Sequence, residues 1–597
     1  MKKRTLLALG LAVVMVCSNM VTVYAAEEPY GVKTQSTGVS GQGDTQKEVN
    51  GNVIVEGKNC SGVKTTENAN IRVNGDVTAK GEDCQGVLAA DKSTATVTGT
   101  VSAEGSGSYG IWTEGSGGVG SQTKGSTVNA ESVTATGQKS TGVYADNYAK
   151  VTIENDVKVS EGTTDIPDGG QYVNPVAGIK ASGNANVTVK GDVTSNGTGS
   201  VGVTVSNSGY ITVGGDITAS GEKYVWNPGK DEQEVTGITS DGGTIIVNGN
   251  VTSTGTGILI RRTSDMINSD VVVKGNVTGS SGIIINDNSG ITVGGTVTAT
   301  DGTGLTVLLE DEKAIGDVTL GTLNVEKEGE TGILLDVKKL GNLSTIDDII
   351  NAMPEVNLFE INVKQGNYFG INDGTDGDTI KGTGILKNEA ADKILKQKVN
   401  YLLRAENTSN TTISLEHTKA TEGTTVKFYV NAVDGYQVKG VSAGKATVID
   451  NGDGSYSIIV PRGGGVNISA IIEAVMKEEQ GGQSAASNEE NTAAVEKYSA
   501  SFVKYAAGQK QAQQLIKSVA PGGNCVVELE DFVSFNRKTF EALAKRPDVS
   551  MTVIYKWNGV KYKVTIPAGY NVLDLLNEDG YCGCLYLNAI FGSEVVE

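Results

Sequence analysis

The residues able to do chemistry in this 597-residue chain are few. The single histidine, His417, stands beside Glu416, and no second histidine exists to join it on a metal. A Ser/His/Asp triad or a histidine-based cysteine site therefore cannot be assembled in the repeats. Five acids recur in one setting: Asp76, Asp156, Asp192, Asp216 and Asp317 each precede Val or Ile at a turn expected after a short strand. Carboxylates can serve glycoside hydrolysis, or polysaccharide elimination with Arg, Lys or Ca²⁺. Yet Asn52, Asn250, Asn276 and Thr100 fill the same position, and a catalytic acid is local rather than distributed. These acids read as turn formers able to bond their own backbone. No catalytic residue, metal site or cofactor is assigned. The calcium nonapeptide G-G-x-G-x-D is missing, which leaves only weak Ca²⁺ binding by exposed carboxylates.

Two insertions carry a shared phrase, Tyr172-Val173-Asn174-Pro175 and Tyr224-Val225-Trp226-Asn227-Pro228. Both follow the same kind of strand, one short coil apart, and should leave one corner about 10 Å from each other. Tyr172, Asn174, Tyr224, Trp226 and Asn227 are candidate ligand contacts, with rings for stacking on sugars. Arg261 and Arg262, in a third insertion, would donate to hydroxyl or carboxylate groups. The alternative is that the aromatics pack their loops onto the coil surface.

What must position these loops is a repeat running from about Gly51 to Leu335. One copy reads Ile71-Arg72-Val73-Asn74-Gly75-Asp76-Val77-Thr78 and then Gly86-Val87; another reads Val187-Thr188-Val189-Lys190-Gly191-Asp192-Val193-Thr194 and then Gly202-Val203. About eleven copies, spaced by about 20 to 26 residues and stretched to about 36 by insertions, have the period of a solenoid. Alternation gives three short strands per period, too short to bury a face alone. The expected fold class is mainly β: a right-handed parallel β-helix, then a small β-rich module and a small α+β C-terminal domain. A β-sandwich would need two-residue hairpin turns that the repeat does not offer.

Residues 1–26 read as a cleavable secretory signal: Met1-Lys2-Lys3-Arg4, an apolar run from Leu6 to Val16, and Tyr24-Ala25-Ala26 before Glu27. No later stretch is apolar for long enough to span a bilayer, so no membrane span is expected in the mature chain. The charge of −20 becomes about −23 without Lys2, Lys3 and Arg4, and such a surface argues against nucleic acid. Cys60 and Cys84 hold one phase of adjacent copies, so stacking would bring them within disulfide reach or leave two buried thiols. Cys525, Cys582 and Cys584 fall in the last domain, where a bridge from Cys525 to one of the pair is a further possibility.

Beyond the helix at 27–335, residues 336–403 read as cap and transition, 404–474 as the β-rich module, 475–497 as a polar linker and 498–597 as the α+β domain. Gly435-Tyr436-x-Val, Asp453-Gly454-Ser455-Tyr456 and Val460-Pro461 give 404–474 a pattern that resembles internalin B-repeat-like modules. The resemblance implies a spacer or binding module. Ile566-Pro567-Ala568-Gly569-Tyr570 and Gly580-Tyr581-Cys582-Gly583 make the last domain similar to C-terminal domains of secreted Clostridia-type proteins. The Gly-Asp-Val-Thr and Gly-Val/Ile phrases resemble bacterial adhesin and autotransporter-passenger repeats, without a membrane barrel or an LPxTG motif. The expectation is a secreted, cell-surface protein of Gram-positive type that binds glycans or surface polymers and is not an enzyme. A β-helical polysaccharide lyase or hydrolase and a structural surface layer are the rivals.

Overall fold

The computed structural model describes residues 20–23, 37–115, 125–160, 176–227, 231–261, 267–286, 289–309, 316–338, 345–381, 384–433, 435–474, 499–502, 505–529, 534–557, 560–576, 580–592 and 594–596. The chain divides into two units, Met1–Met476 and Lys477–Glu597.

The first unit is a parallel β-helix. Its rod is built on one 33-stranded ladder in which every strand but Lys419–Thr421 pairs in parallel with its equivalent one coil away. Three faces recur. Asn70–Asn74 pairs with the 46–50 and 94–97 strands on the first face. Val77–Lys80 pairs with the 53–56 and 101–104 strands on the second. Gln85–Ala89 pairs with the 61–65 and 109–113 strands on the third. Ile71, Val73, Val77, Ala79, Val87 and Ala89 point inward and are fully buried, so the core is a stack of matched small and β-branched rungs.

The Gly-Asp/Asn corner works differently from the expected self-bonded turn. Each Asx side-chain oxygen accepts from the backbone N–H of the equivalent residue one coil later. Asn52 accepts from Asp76 at 2.8 Å and Asp76 from Thr100 at 2.8 Å. A longer run goes Asp156 to Asp192 (3.0 Å), Asp192 to Asp216 (2.8 Å), Asp216 to Asn250 (2.7 Å), Asn250 to Asn276 (2.9 Å) and Asn276 to Thr296 (2.8 Å). At Gly215 the glycine is needed for space rather than for an unusual φ: a Cβ there would land on Asp192 Oδ1. Similarly, a Cβ on Gly62 of the third face would meet Val77 Cγ1 and stand 2.6 Å from the Gly86 carbonyl oxygen. Asp317 does not belong to this ladder position. Val318 pairs with Ile291 and Leu323 with Val297, so Asp317 precedes a first-face strand, its Gly-Asp phrase displaced in phase after the 310–315 insertion.

Parallel pairing continues past Leu335 into the stretch read as cap and transition. Val356–Val363 stacks on the 318–325 strand, Phe369–Asn372 on 333–336, and Val399–Leu402 on 356–358. Two helices sit in these coils. α1 (Ile346–Ala352) begins with a reciprocal Thr345/Asp348 capping box, and α2 (Lys387–Lys398) buries Ala390, Ala391, Ile394 and Leu395. The last strand is closed by an antiparallel neighbour, Lys419–Thr421, from the β-rich module. That module holds its expected strands in a four-stranded and a three-stranded sheet, and its core is continuous with the rod. Tyr401, fully buried on the last coil, accepts from the Gly463 N–H at 3.2 Å, and Arg404 lies 3.7 Å over the Phe359 ring. The module thus covers an end that would otherwise expose unpaired strand edges. At the other end, Met20–Val23 pairs in parallel with Gln46–Asn50. Cleavage after Ala26 would remove that strand and open this edge.

Cys60 and Cys84, with Cα atoms 4.6 Å apart, are joined as a disulfide. They belong to a buried column continued by Ser108 and Ser140, whose hydroxyls donate to Gly81 O at 3.0 Å and Gly105 O at 3.1 Å.

In the second unit a five-stranded sheet runs 499–502, 524–529, 550–557, 560–566, 594–596 in spatial order. It is accompanied by α3 (Tyr505–Ser518), α4 (Arg537–Ala544) and α5 (Cys584–Phe591). Trp557 faces Val560 across the expected hairpin. Cys525, Cys582 and Cys584 are free and buried, so the bridge considered from Cys525 is not formed. Burial pushes the thiols of Cys525 and Cys582 up to about 12 and that of Cys584 upward as well.

Gly215→Ala should destabilise the protein by about 1–3 kcal/mol in urea unfolding, because the added methyl displaces a packed rung. Asp192→Asn, which keeps the acceptor, should stay within about 0.5 kcal/mol. Alkylation of the denatured, unreduced protein, read by peptide mass, should label Cys525, Cys582 and Cys584 and leave Cys60 and Cys84 untouched until a reductant is added.

Candidate functional site

Strands on the third face send every second side chain outward, and register stacks those side chains in a column. Leu88, Trp112, Tyr144 and Lys180 occupy successive rungs. Tyr109 is outward as well, because the buried pair Gly110-Ile111 separates it from Trp112. The three rings gather into one half-buried cluster on the outer surface. Tyr109 and Trp112 have centroids 4.6 Å apart at 63°, Trp112 and Tyr144 5.1 Å at 52°, and Tyr109 and Tyr144 6.1 Å at 75°.

Polar groups frame the rings. Asp146, two residues after Tyr144, accepts from Ser182 Oγ at 2.6 Å and from the Asn147 N–H at 2.8 Å. Burial raises the Tyr144 phenol, and the charges of Asp146 and Glu114 raise it further. Burial, followed by Asp83, raises that of Tyr109. The Lys180 ammonium, on the next rung, is pushed below its ordinary value by burial. Rings, carboxylates and one partly desolvated amine therefore share a patch on adjacent coils. The 116–124 and 161–175 insertions, which lie outside the described residues, join the chain at Gly115 and Val176, next to the strands that carry the patch.

The residues singled out from sequence are placed as follows. Tyr172, Asn174 and Arg262 lie outside the described residues. Tyr224–Asn227 forms a hairpin with Asp231–Gln233, Tyr224 facing Gln233; of Trp226 and Asn227 only the backbone is described. Both insertions leave second-face strands whose ends, Ser160 and Ser220, are two rungs apart. Arg261 is exposed, its N–H bonded to Ser240 O at 2.8 Å. The neighbouring Asp241 has its carboxyl raised by burial and lowered in part by Arg261. His417 is exposed beyond the 411–415 strand. Among the described residues no group of three or more His, Cys, Asp or Glu could hold a metal ion, and no helix is long and apolar enough to cross a membrane.

Sequence reasoning passed over Tyr109, Trp112 and Tyr144 because they belong to regular coils, whereas it sought binding residues in insertions. A signal was present: Gly110-Ile111-Trp112 and Gly142-Val143-Tyr144 put a ring two residues after the third-face glycine on consecutive coils. Comparisons of the chain with protein-family models, with curated proteins and with solved structures give no match.

Proposed function

We propose that the chain is a secreted, cell-surface-associated binding protein whose β-helix recognises glycans on its third face. The observation that carries this reading is the Tyr109–Trp112–Tyr144 cluster. Aromatic faces pack against the C–H faces of sugar rings, and Asp146 and Glu114 stand nearby as hydroxyl acceptors. A rigid rod suits recognition of an extended polymer, since contacts repeat along the axis without an ordering cost. The leader-like residues 1–26 support export, and the acidic surface is that of a soluble extracellular rod.

A polysaccharide lyase draws on a separate observation, the juxtaposition of Asp241 and Arg261. In its ionised form Asp241 could take the proton from the carbon next to a uronate carboxylate, whose charge the guanidinium neutralises, as the glycosidic oxygen leaves the neighbouring carbon and takes a proton from water. Release of unsaturated products from polygalacturonate, lost on Asp241→Asn, would establish this reading; absence of turnover leaves the binding role.

For the binding role the test is a glycan array on the secreted protein, followed by titration of the best hit. Trp112→Ala should weaken that binding by about tenfold or more while cooperative unfolding is retained. Unchanged affinity in both Trp112→Ala and Tyr144→Ala would rule out the cluster as the sugar site.

A further inference from the structure

The second unit contains a cationic cleft of about 380 Å³ between α3 and α4. Its floor is buried Ala542, and Gln513 Nε2, which donates to Thr539 Oγ1 at 3.2 Å, ties the two helices together beside it. Around the rim stand Lys517, Lys538 and Lys545, all exposed. Lys538 is on α4 and Lys545 caps its C-terminal end, seven residues on, which is two turns and about 10 Å along one face. None of the three ammonium groups has an ion-pair partner among the described residues, and the one acid on the cleft is Glu541. Arg546 also lines it, but its guanidinium is committed. It donates to the carbonyls of Ile516 (3.2 Å), Lys517 (3.2 Å) and Val519 (2.8 Å) and pairs with Asp548 at 2.9 Å.

This distribution is local. Lys and Arg balance Asp and Glu one for one over residues 499–597, whereas the whole chain carries −20. The folded part of the second unit, residues 499–597, therefore does not oppose an approaching anion as the rod does. Free lysines act as mobile point charges rather than as a planar fork, so they suit successive single charges along a flexible chain.

We propose that the α3–α4 cleft binds a linear polyanion, a chain of singly charged phosphodiester or carboxylate groups, and that this contact helps hold the protein on an anionic cell envelope. The site is separate from the aromatic cluster and does not depend on its reading. Lys517, Lys538 and Lys545 supply the charge, and the fixed Arg546 positions the end of α3 beside them.

The test uses the full secreted chain with two probes, inorganic polyphosphate and polygalacturonate, whose relative affinity identifies the anion type. At least one should bind, with log K falling against log salt at a slope of about −2 for three neutralised contacts. Combined Lys517→Glu, Lys538→Glu and Lys545→Glu should weaken that binding more than tenfold. Lys556→Glu, an exposed charge reversal outside the cleft, should change it less than twofold, and Trp112→Ala should leave it intact. Lack of salt-sensitive binding to either polymer overturns the proposal. So does an equal loss in Lys556→Glu, or a loss in Trp112→Ala, which would move the contact to the rod. Circular dichroism of the triple variant checks that the unit remains folded.

Discussion

The hydrogen bond from the backbone N–H of one coil to the Asx oxygen of the coil before it is the constraint on which the rod depends. Parallel strand pairing sets the spacing of coils, but it would tolerate slippage among short strands of similar Val and Thr content. The corner ladder removes that freedom, because an Asx oxygen in one coil must meet the same phase of the next. Wherever the coil before supplies that oxygen, the glycine ahead of the receiving N–H becomes obligatory for packing: the ladder oxygen fills the space its Cβ would occupy. A repeat that looks like a turn preference is thus a contact between coils, written twice in the sequence, once as the acceptor and once as the vacancy beside it.

Much of the architecture was legible because its causes are local. Alternation of Val and Ile fixed the three inward columns, and the common phase of Cys60 and Cys84 brought them to neighbouring rungs. What stayed hidden depends on neighbours far away in sequence. An Asp in a Gly-Asp phrase does not reveal whether it bonds itself or the next coil. The Asp317 phrase has the right letters in the wrong phase, since the insertion before it shifts which strand follows. The β-rich module was read as a spacer or binding module, yet it packs on the last coil through Tyr401, whose burial nothing in its immediate sequence discloses. The aromatic cluster escaped for the same reason: Trp112 and Tyr144 are far apart in the chain and meet only through rung register.

The location of that cluster has a structural logic. Between Thr100 and Asp156 the Asx ladder is interrupted; the intervening corner carries Glu131-Ser132, with a register irregularity between Ala130 and Ser132. The coils bearing Tyr109, Trp112 and Tyr144 flank this interruption, and two long insertions join the chain beside them. The aromatic cluster and the irregularity coincide on the rod, the rings standing on its strands.

Both Asx runs end on threonine, Thr100 and Thr296, which use their N–H but pass no side-chain acceptor onward. Within each run the placed coil offers the oxygen and the following coil brings the N–H. The ladder consequently has a polarity: every coil within a run turns its Asx oxygen toward the coil that follows in the chain and its N–H toward the coil before. Among the described residues the two ends of a run are therefore chemically unlike, an N–H without an Asx acceptor at the first rung and no Asx oxygen at the last, so coils can be exchanged between positions within a run but not with its ends.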